Sequence, residues 1–245
     1  MFFPSTVRRG ARVAPVLAAC TGLALLSGAA RAEAVEVTGS AAITTDYVFR
    51  GITQTQGDPA VQLGPKVATG NGFYGNVWGS TVEFAGDTGA SNEFDYSIGW
   101  GGNLADDWAL DVNLTHFDYP SARIDLAYTE LIGTLTYQDN YWAMVGYSAD
   151  VFATDAQGIY AQVGTKFPIN DRLRFEAAVA HYDLDDAYGK RYSHGSLGAV
   201  WAFKTPDSRP GIELRVTVHG SDSNAKDIFP GLAGSRAEAA LQASF

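Results

Sequence analysis

The sequence predicts an all-β chain: a single antiparallel transmembrane β-barrel of about 12 strands, with both termini on the periplasmic side. Three observations predict it. Segments of strand length alternate apolar and polar residues, the period of a sheet with one dry and one wet face. The connections between them sort into short and long by parity, as periplasmic turns and extracellular loops do. The final stretch, Arg236 to Phe245, alternates Ala237, Ala239, Leu241, Ala243 and Phe245 against mostly polar neighbours and ends on an aromatic. A soluble domain tends to end in a polar, frayed tail, whereas a barrel's last strand must pair with its first.

The chain opens with a segment that takes no part in the fold. Arg8, Arg9 and Arg12 precede an apolar stretch from Val13 to Gly28, and Ala30-Arg31-Ala32 is a small-x-small cleavage site. Residues 1–32 therefore read as a cleaved secretory signal peptide, and 33–245 as the outer-membrane β-barrel domain. Leu17-Ala18-Ala19-Cys20 has the shape of a lipoprotein box, but the apolar run continues past it. Cys20 is the only cysteine, so the mature chain has no thiol for disulfides, nucleophilic catalysis or metal binding. Removing the four arginines of the leader leaves 13 basic residues against 27 acidic ones, a net charge of about −14. Nucleic acid is excluded as a partner, since it demands a basic footprint.

The expected strands span 35–49, 59–69, 72–85, 93–101, 107–117, 126–138, 140–149, 158–167, 172–182, 193–204, 212–220 and 236–245. Most have about the 9–11 residues of a tilted membrane strand. In the first, Val35, Val37, Ala41 and Ile43 oppose Glu36, Thr38, Ser40 and Thr44. In the fifth, Trp108, Leu110, Val112 and Leu114 oppose Asp111, Asn113 and Thr115. In the ninth, Leu173, Phe175, Ala177 and Val179 oppose Arg174 and Glu176; in the eleventh, Ile212, Leu214, Val216 and Val218 oppose Glu213, Arg215 and Thr217. The phases of 72–85 and 140–149 are not decided by the pattern.

Connections after even strands are compact: Gly70-Asn71, Gly102 to Asp106, Asp139, Pro168 to Asp171, and Thr205 to Gly211. Those after odd strands are mostly longer, such as Arg50 to Asp58 and Ser221 to Ser235. Aromatics then fall into an inner belt, including Phe73, Trp108, Tyr141, Phe167, Phe203 and Phe245. An outer belt includes Tyr47, Phe49, Phe84, Phe94, Phe117, Tyr128, Tyr147, Tyr160, Tyr182 and Tyr192. Rings at both interfaces are what a bilayer selects, although parity turns some of these inward, Tyr160 among them.

Thr45-Asp46-Tyr47-Val48-Phe49-Arg50-Gly51-Ile52-Thr53-Gln54-Thr55, followed by Pro59-Ala60-Val61-Gln62, resembles the signature of the TorF-like porin family. Gly72-Phe73-Tyr74-Gly75-Asn76-Val77-Trp78-Gly79-Ser80, Glu93-Phe94-Asp95-Tyr96, Tyr119-Pro120 and Glu130 resemble its later landmarks. The resemblance covers essentially the whole mature chain. It implies an outer-membrane β-barrel with pore activity, passing small solutes or ions. It implies no catalytic residue and no cofactor, and the sequence itself shows no phosphate loop, metal-ligand cluster or cofactor motif.

Charged residues on the polar phase are costly against lipid, so they are expected inside the barrel. Asp46, Arg50, Lys66, Asp111, Glu130, Lys166, Arg174, Glu176, Glu213, Arg215, Arg236 and Glu238 are the pore-lining candidates. Their mixed signs fit either a narrow water-filled pore or a lumen knitted shut by ion pairs. Asp46, Arg50 and Gln54 stand at the outer end of the first strand. There they either form a charged constriction or pin the first loop to the barrel wall, with Arg50 paired to a carboxylate. A second function class is carried by His194-Gly195-Ser196, which places a base and a nucleophile on one strand face as in an outer-membrane lipid or ester hydrolase, with Asp183 to orient the histidine. That face is the lumen-facing one, away from lipid substrate. A third reading is a plugged barrel that presents acidic surface loops. Outer-membrane lipid and, through the closing strand ending in Phe245, the barrel-assembly machinery are the expected partners.

Overall fold

An apolar side chain stands on every second residue of most strands here, the period that turns one face of a sheet outward. The computed structural model describes residues 35–84, 86, 88–204 and 210–245; the expected signal peptide, with Cys20, lies outside them. The strands are β1 Val35–Thr44, β2 Val48–Phe49, β3 Ile52–Thr53, β4 Ala60–Thr69, β5 Phe73–Thr81, β6 Asn92–Ala105, β7 Trp108–Asp118, β8 Tyr128–Tyr137 and β9 Tyr141–Ser148. They continue as β10 Gly158–Pro168, β11 Leu173–Leu184, β12 Lys190–Lys204, β13 Gly211–Ser221 and β14 Arg236–Ser244, with short helices α1 Asp185–Tyr188 and α2 Ser223–Ile228 in two loops.

Twelve of these strands close an antiparallel barrel in the order β1-β14-β13-β12-β11-β10-β9-β8-β7-β6-β5-β4 and back to β1, while β2 and β3 form a separate two-stranded hairpin. The closing seam pairs Ser40 with Ser244 through Thr44 with Ala240, and on its other side β1 pairs Val35 with Thr69 through Thr44 with Ala60. Phe245 extends the seam, exchanging backbone hydrogen bonds of 2.7 and 2.9 Å with Gly39. A Cβ on Gly39 would meet the Phe245 ring at 2.8 Å, so this glycine makes room for it.

The outward faces are apolar. Val37, Ile43, Ile98, Val112, Val163 and Val218 are all exposed, and Val179 at mid-strand is 62% exposed. A surface of this kind is what hydrocarbon covers and water would not. Among the described residues no helix is long and apolar enough to cross a membrane. The two undecided strands take their phase from the closed sheet: Phe73, Val77, Tyr141, Val145 and Tyr147 face out.

Several strand ends differ from the sequence reading; β5 stops at Thr81 rather than 85, and three further differences have a visible cause. The first strand does not reach residue 49. It stops at Thr44, because Asp46 begins a hairpin loop that turns into the barrel. β6 runs on through Gly101–Ala105 and absorbs an irregularity between Asn103 and Ala105, so the expected five-residue turn shrinks to Asp106-Asp107. β11 and β12 extend into the expected 183–192 loop, leaving α1 and Gly189 to connect them. The β8–β9 turn is Gln138-Asp139, both at positive φ (49° and 57°), the geometry of a tight hairpin turn whose twist suits the flanking strands.

Candidate functional site in the lumen

The loop joining β1 to β4, residues 45–59, turns into the barrel rather than away from it. Asp46 organises it: its carboxylate accepts from Thr53 Oγ1 at 2.5 Å and from Thr55 Oγ1 at 3.1 Å. This folds Val48 onto Thr53 and Phe49 onto Ile52. A two-residue hairpin turn of this twist needs positive φ at both central positions, and Arg50 (50°) and Gly51 (79°) supply it. The glycine is also sterically required, since a Cβ there would stand 2.6 Å from Cβ of His194 on the facing wall.

The hairpin tip thus delivers Arg50 across the lumen. Its guanidinium donates to both carboxylate oxygens of Glu130, at 2.7 and 2.6 Å, a bidentate fork. Their side chains are 6% and 1% exposed. The guanidinium also lies over the rings of Tyr160 at 4.1 Å, Phe49 at 4.8 Å and Tyr182 at 4.9 Å. Tyr192 donates to the Arg50 carbonyl at 3.0 Å, and Tyr182 to Glu130 at 3.3 Å. Burial by itself would lower the arginine's proton affinity, but the Glu130 carboxylate raises it further, so the group stays cationic.

The rings around this pair correct the expected outer belt, except at Tyr160, whose inward turn parity predicts. Tyr128, Tyr160, Tyr182 and Tyr192 are all buried and point inward, with Phe117 stacked on Tyr128 at 4.5 Å. With Phe49, Phe84, Tyr119, Phe152, Phe229 and Leu184 they fill the outer half of the barrel. Of the expected outer belt, Phe94 and Tyr147 do face outward. Parity carried the signal: Phe117 shares its phase with Asp111, and Tyr128 with Glu130. The inner belt holds its outward position, with Phe73, Trp108, Tyr141, Phe167, Phe203 and Phe245 exposed.

The inner half is polar. Arg174 donates to Glu176 at 2.8 Å and to both oxygens of Glu213 at 2.6 and 2.9 Å, and Arg215 pairs with Glu176 as well. On the opposite arc, Lys66 lies 3.6 Å from the Tyr74 ring centroid. Asp111 accepts from the Tyr74 hydroxyl and from Asn113, both at 2.9 Å. A cavity of about 430 Å³ opens here, lined by Lys66, Tyr74, Asn76, Asp95, Asn113 and Thr134, with Phe49 of the hairpin among its walls.

The remaining candidates sit apart from these two groups. Lys166 is exposed near the short-turn end of β10. Arg236 heads β14 and donates to the Gly231 carbonyl at 2.5 Å, so it fastens an outer loop. Glu238 accepts from Thr44 Oγ1 and pairs with His219, both at 3.0 Å, beside the seam. His194 Nε2 lies 3.0 Å from the Tyr160 hydroxyl, and Asp183 accepts from Arg191 at 3.0 Å rather than orienting that histidine. Asp185 also pairs with Arg191, Asp186 accepts from Gln157, and among the described residues no cluster of three metal-binding side chains forms. His116 and His181 face outward, each on a cross-strand hydroxyl at 3.0 Å. Sequence reasoning missed Glu93, a buried carboxylate that accepts from Tyr119 at 2.6 Å; its shared phase with Asp95 was the available signal.

A family model described as a bacterial protein of unknown function, Gcw_chp, matches residues 28–226. No curated protein matches the sequence. Among solved structures, a KdgM porin superposes with a TM-score of 0.54 at 9% identity, covering 85% of this chain and 99% of that one. A NanC porin superposes with a TM-score of 0.52 at 11% identity, covering 86% and 99%. A KdgM porin in complex with disordered oligogalacturonate gives 0.51 at 7% identity, covering 86% and 99%. At these identities the likeness is one of fold: a twelve-stranded antiparallel barrel of the porin type.

Proposed function

The chain belongs to the Gcw_chp family of bacterial proteins, and from its geometry we propose that it is an outer-membrane porin for small solutes or ions. The observation that carries this reading is the lumen: a cavity of about 430 Å³ with Lys66, Asp95, Asn76 and Asn113 among its walls, in a closed barrel with an apolar outer wall. Charged lining of this kind filters solutes by sign and size. The pore-lining set proper is Lys66, Asp111, Arg174, Glu176, Glu213 and Arg215. Asp46, Arg50 and Glu130 control passage by holding the first loop in the lumen. Lys166, Arg236 and Glu238 stand at the rims and the seam. The barrel sits in the outer membrane after export by the 1–32 signal peptide, and β14 is the strand offered to the assembly machinery. One structural neighbour was solved with an acidic oligosaccharide. The lumen here pairs Arg174 and Arg215 with Glu176 and Glu213, so its balanced charge gives no reason to transfer that solute.

A second reading, a barrel plugged at rest, is favoured by the burial of Arg50 and Glu130 within the aromatic cluster. Single-channel recording of the refolded mature protein separates the two. Discrete steps in wild type, enlarged in Glu130→Gln, support a porin throttled by its first loop. Steps only in Glu130→Gln support the plugged state. Silence from both, with insertion demonstrated, sinks the pore. Ester hydrolysis that disappears in Ser196→Ala would revive the hydrolase alternative.

A further inference from the structure

Burying a carboxylate is costly unless a cation or a set of donors meets it. Glu130, Glu176 and Glu213 follow that rule by facing arginines, and Glu238 by facing His219. Glu93 and Asp95 do not follow it. They stand two residues apart on β6, so both point inward on one face of the sheet. Glu93 is 1% exposed. One of its oxygens accepts from the Tyr119 hydroxyl at 2.6 Å, and the other, Oε2, has no hydrogen-bond partner. Oδ1 of Asp95 has none either, and neither of these two oxygens is open to solvent.

The groups packed around the pair come from every side. Ser80 and Trp78 stand opposite Glu93 and Asp95 on β5, and Phe117 stands opposite Asp95 on β7. Tyr119 closes the space just after β7, and Glu130 and Tyr128 approach from β8. Tyr47 faces both carboxyl groups from the stem of the first loop. The two cations of this region are committed elsewhere. Arg50 is held by Glu130, and Lys66, which shares the lumen cavity with Asp95, rests its ammonium on the Tyr74 ring. Among the described residues, then, neither carboxyl group has a counter-cation, and Glu130 adds a like charge. Two carboxyl groups so placed cannot both ionise without drawing in water.

Tyr47 links their state to the first loop. Its ring lies 5.4 Å from Trp78, the residue opposite Asp95. Its carbonyl accepts from the Gln54 amide at 2.7 Å, and its amide donates to Thr55 Oγ1 at 3.1 Å, so it cannot leave without the hairpin. Arg50 fastens the tip of this loop and Tyr47 its stem.

We propose that Glu93 and Asp95 hold a proton between them, and that losing it as the pH rises unseats the first loop from the lumen. The device rests on the reading of that loop as the throttle of a porin and adds what turns it. The proton leaves through Asp95, which borders the lumen cavity, to water there. The pair left behind carries two negative charges beside Glu130, and the water they recruit takes the place of Tyr47.

Infrared spectra of the refolded barrel in micelles test the proton directly. At neutral pH a solvated carboxyl group, with its usual pKa near 4, is ionised. A C=O stretch from a protonated carboxyl group is therefore expected only from this pair, fading at alkaline pH and lost from Glu93→Gln/Asp95→Asn. A band missing from wild type at neutral pH, or one that survives in the variant, overturns the proposal. The loop is followed by thiol labelling, because Cys20 is the only cysteine and lies in the expected leader. Ile52→Cys puts a thiol on the hairpin at a position that is 6% exposed, shielded while the loop is seated. Its labelling by a charged methanethiosulfonate is compared, at each pH, with that of Ile52→Cys combined with Glu93→Gln/Asp95→Asn, so that the thiol's own ionisation cancels. The ratio of the two rates should stay near unity at about pH 5 and rise by up to about tenfold per pH unit once the pair ionises. A ratio that ignores pH overturns the proposal. If the combined variant does not fold, the wild-type infrared band still decides. A loop that unseats with rising pH in a barrel that never conducts defeats the pore alone; a barrel that conducts with its loop seated at every pH defeats this proposal alone.

Discussion

The outer and inner halves of the lumen handle buried charge in opposite ways. In the outer half one arginine meets one glutamate, and rings exclude water from both. In the inner half two arginines share two glutamates, with side chains between 15% and 29% exposed. The difference lies in what happens when a member is lost. A lone dry pair leaves its survivor uncompensated, so it is all or nothing. A wet, shared network redistributes its hydrogen bonds and keeps its solvent. The first is suited to holding a movable loop in one of two positions, and the second to lining a path that must remain polar.

Arg50→Ala is the sharpest way to break this contrast. It leaves Glu130 buried and unpaired and should cost about 3–5 kcal/mol, read as a fall in the unfolding midpoint of the refolded barrel. A melt unchanged from wild type would mean that the outer half is not dry. Arg174→Ala removes one corner of the inner network, from a partly solvated site, and should cost about 1–2 kcal/mol, between the buried and exposed limits. Its larger consequence should be electrical, with the reversal potential in a salt gradient moving toward cation preference. Lys66→Met replaces an ammonium over the Tyr74 ring, an interaction of about 0.5–1 kcal/mol when solvated. It should move the reversal potential the same way with little change in melting. The smallest effect belongs outside the lumen. Lys190 and Asp227 pair at 2.6 Å on outer loops with both side chains largely exposed, so Lys190→Ala should stay within about 0.5 kcal/mol. A measured order other than Arg50, Arg174, Lys66, Lys190 would show that burial does not set the scale.

The barrel was legible because its cause is local. Alternation in Ile212-Glu213-Leu214-Arg215-Val216-Thr217-Val218 records which face meets lipid, and the closed sheet has β13 where those residues placed it. The sorting of turns and loops is equally local. What was not legible is long in range. The sequence allowed that Arg50 pins the first loop to some carboxylate, but Glu130 is 80 residues away and nothing in either segment names the other. The aromatic outer belt went astray for a related reason. A tyrosine such as Tyr182 suits a membrane interface and a packed plug equally well by composition. Only its phase, opposite to Val179 and His181, tells the two apart. Residues 35–49 read as one strand because Val48 and Phe49 continue an apolar pattern. The break depends on Asp46 reaching Thr53 and Thr55 across the turn.

The first loop leaves the barrel wall directly at the seam. Thr45 donates its amide to Ala239 at 2.9 Å and receives the Ala239 amide on its hydroxyl at 2.9 Å, and Thr44 reaches Glu238 at 3.0 Å, partners about 194 residues apart. Pairing across such a separation is the slow, entropically expensive step of folding a β-protein. The loop's root is therefore held twice, by the local pairing of Thr44 with Ala60 and by the closure of the first strand on the last. The seam that seals the cylinder is also the clamp at the base of the segment that fills it.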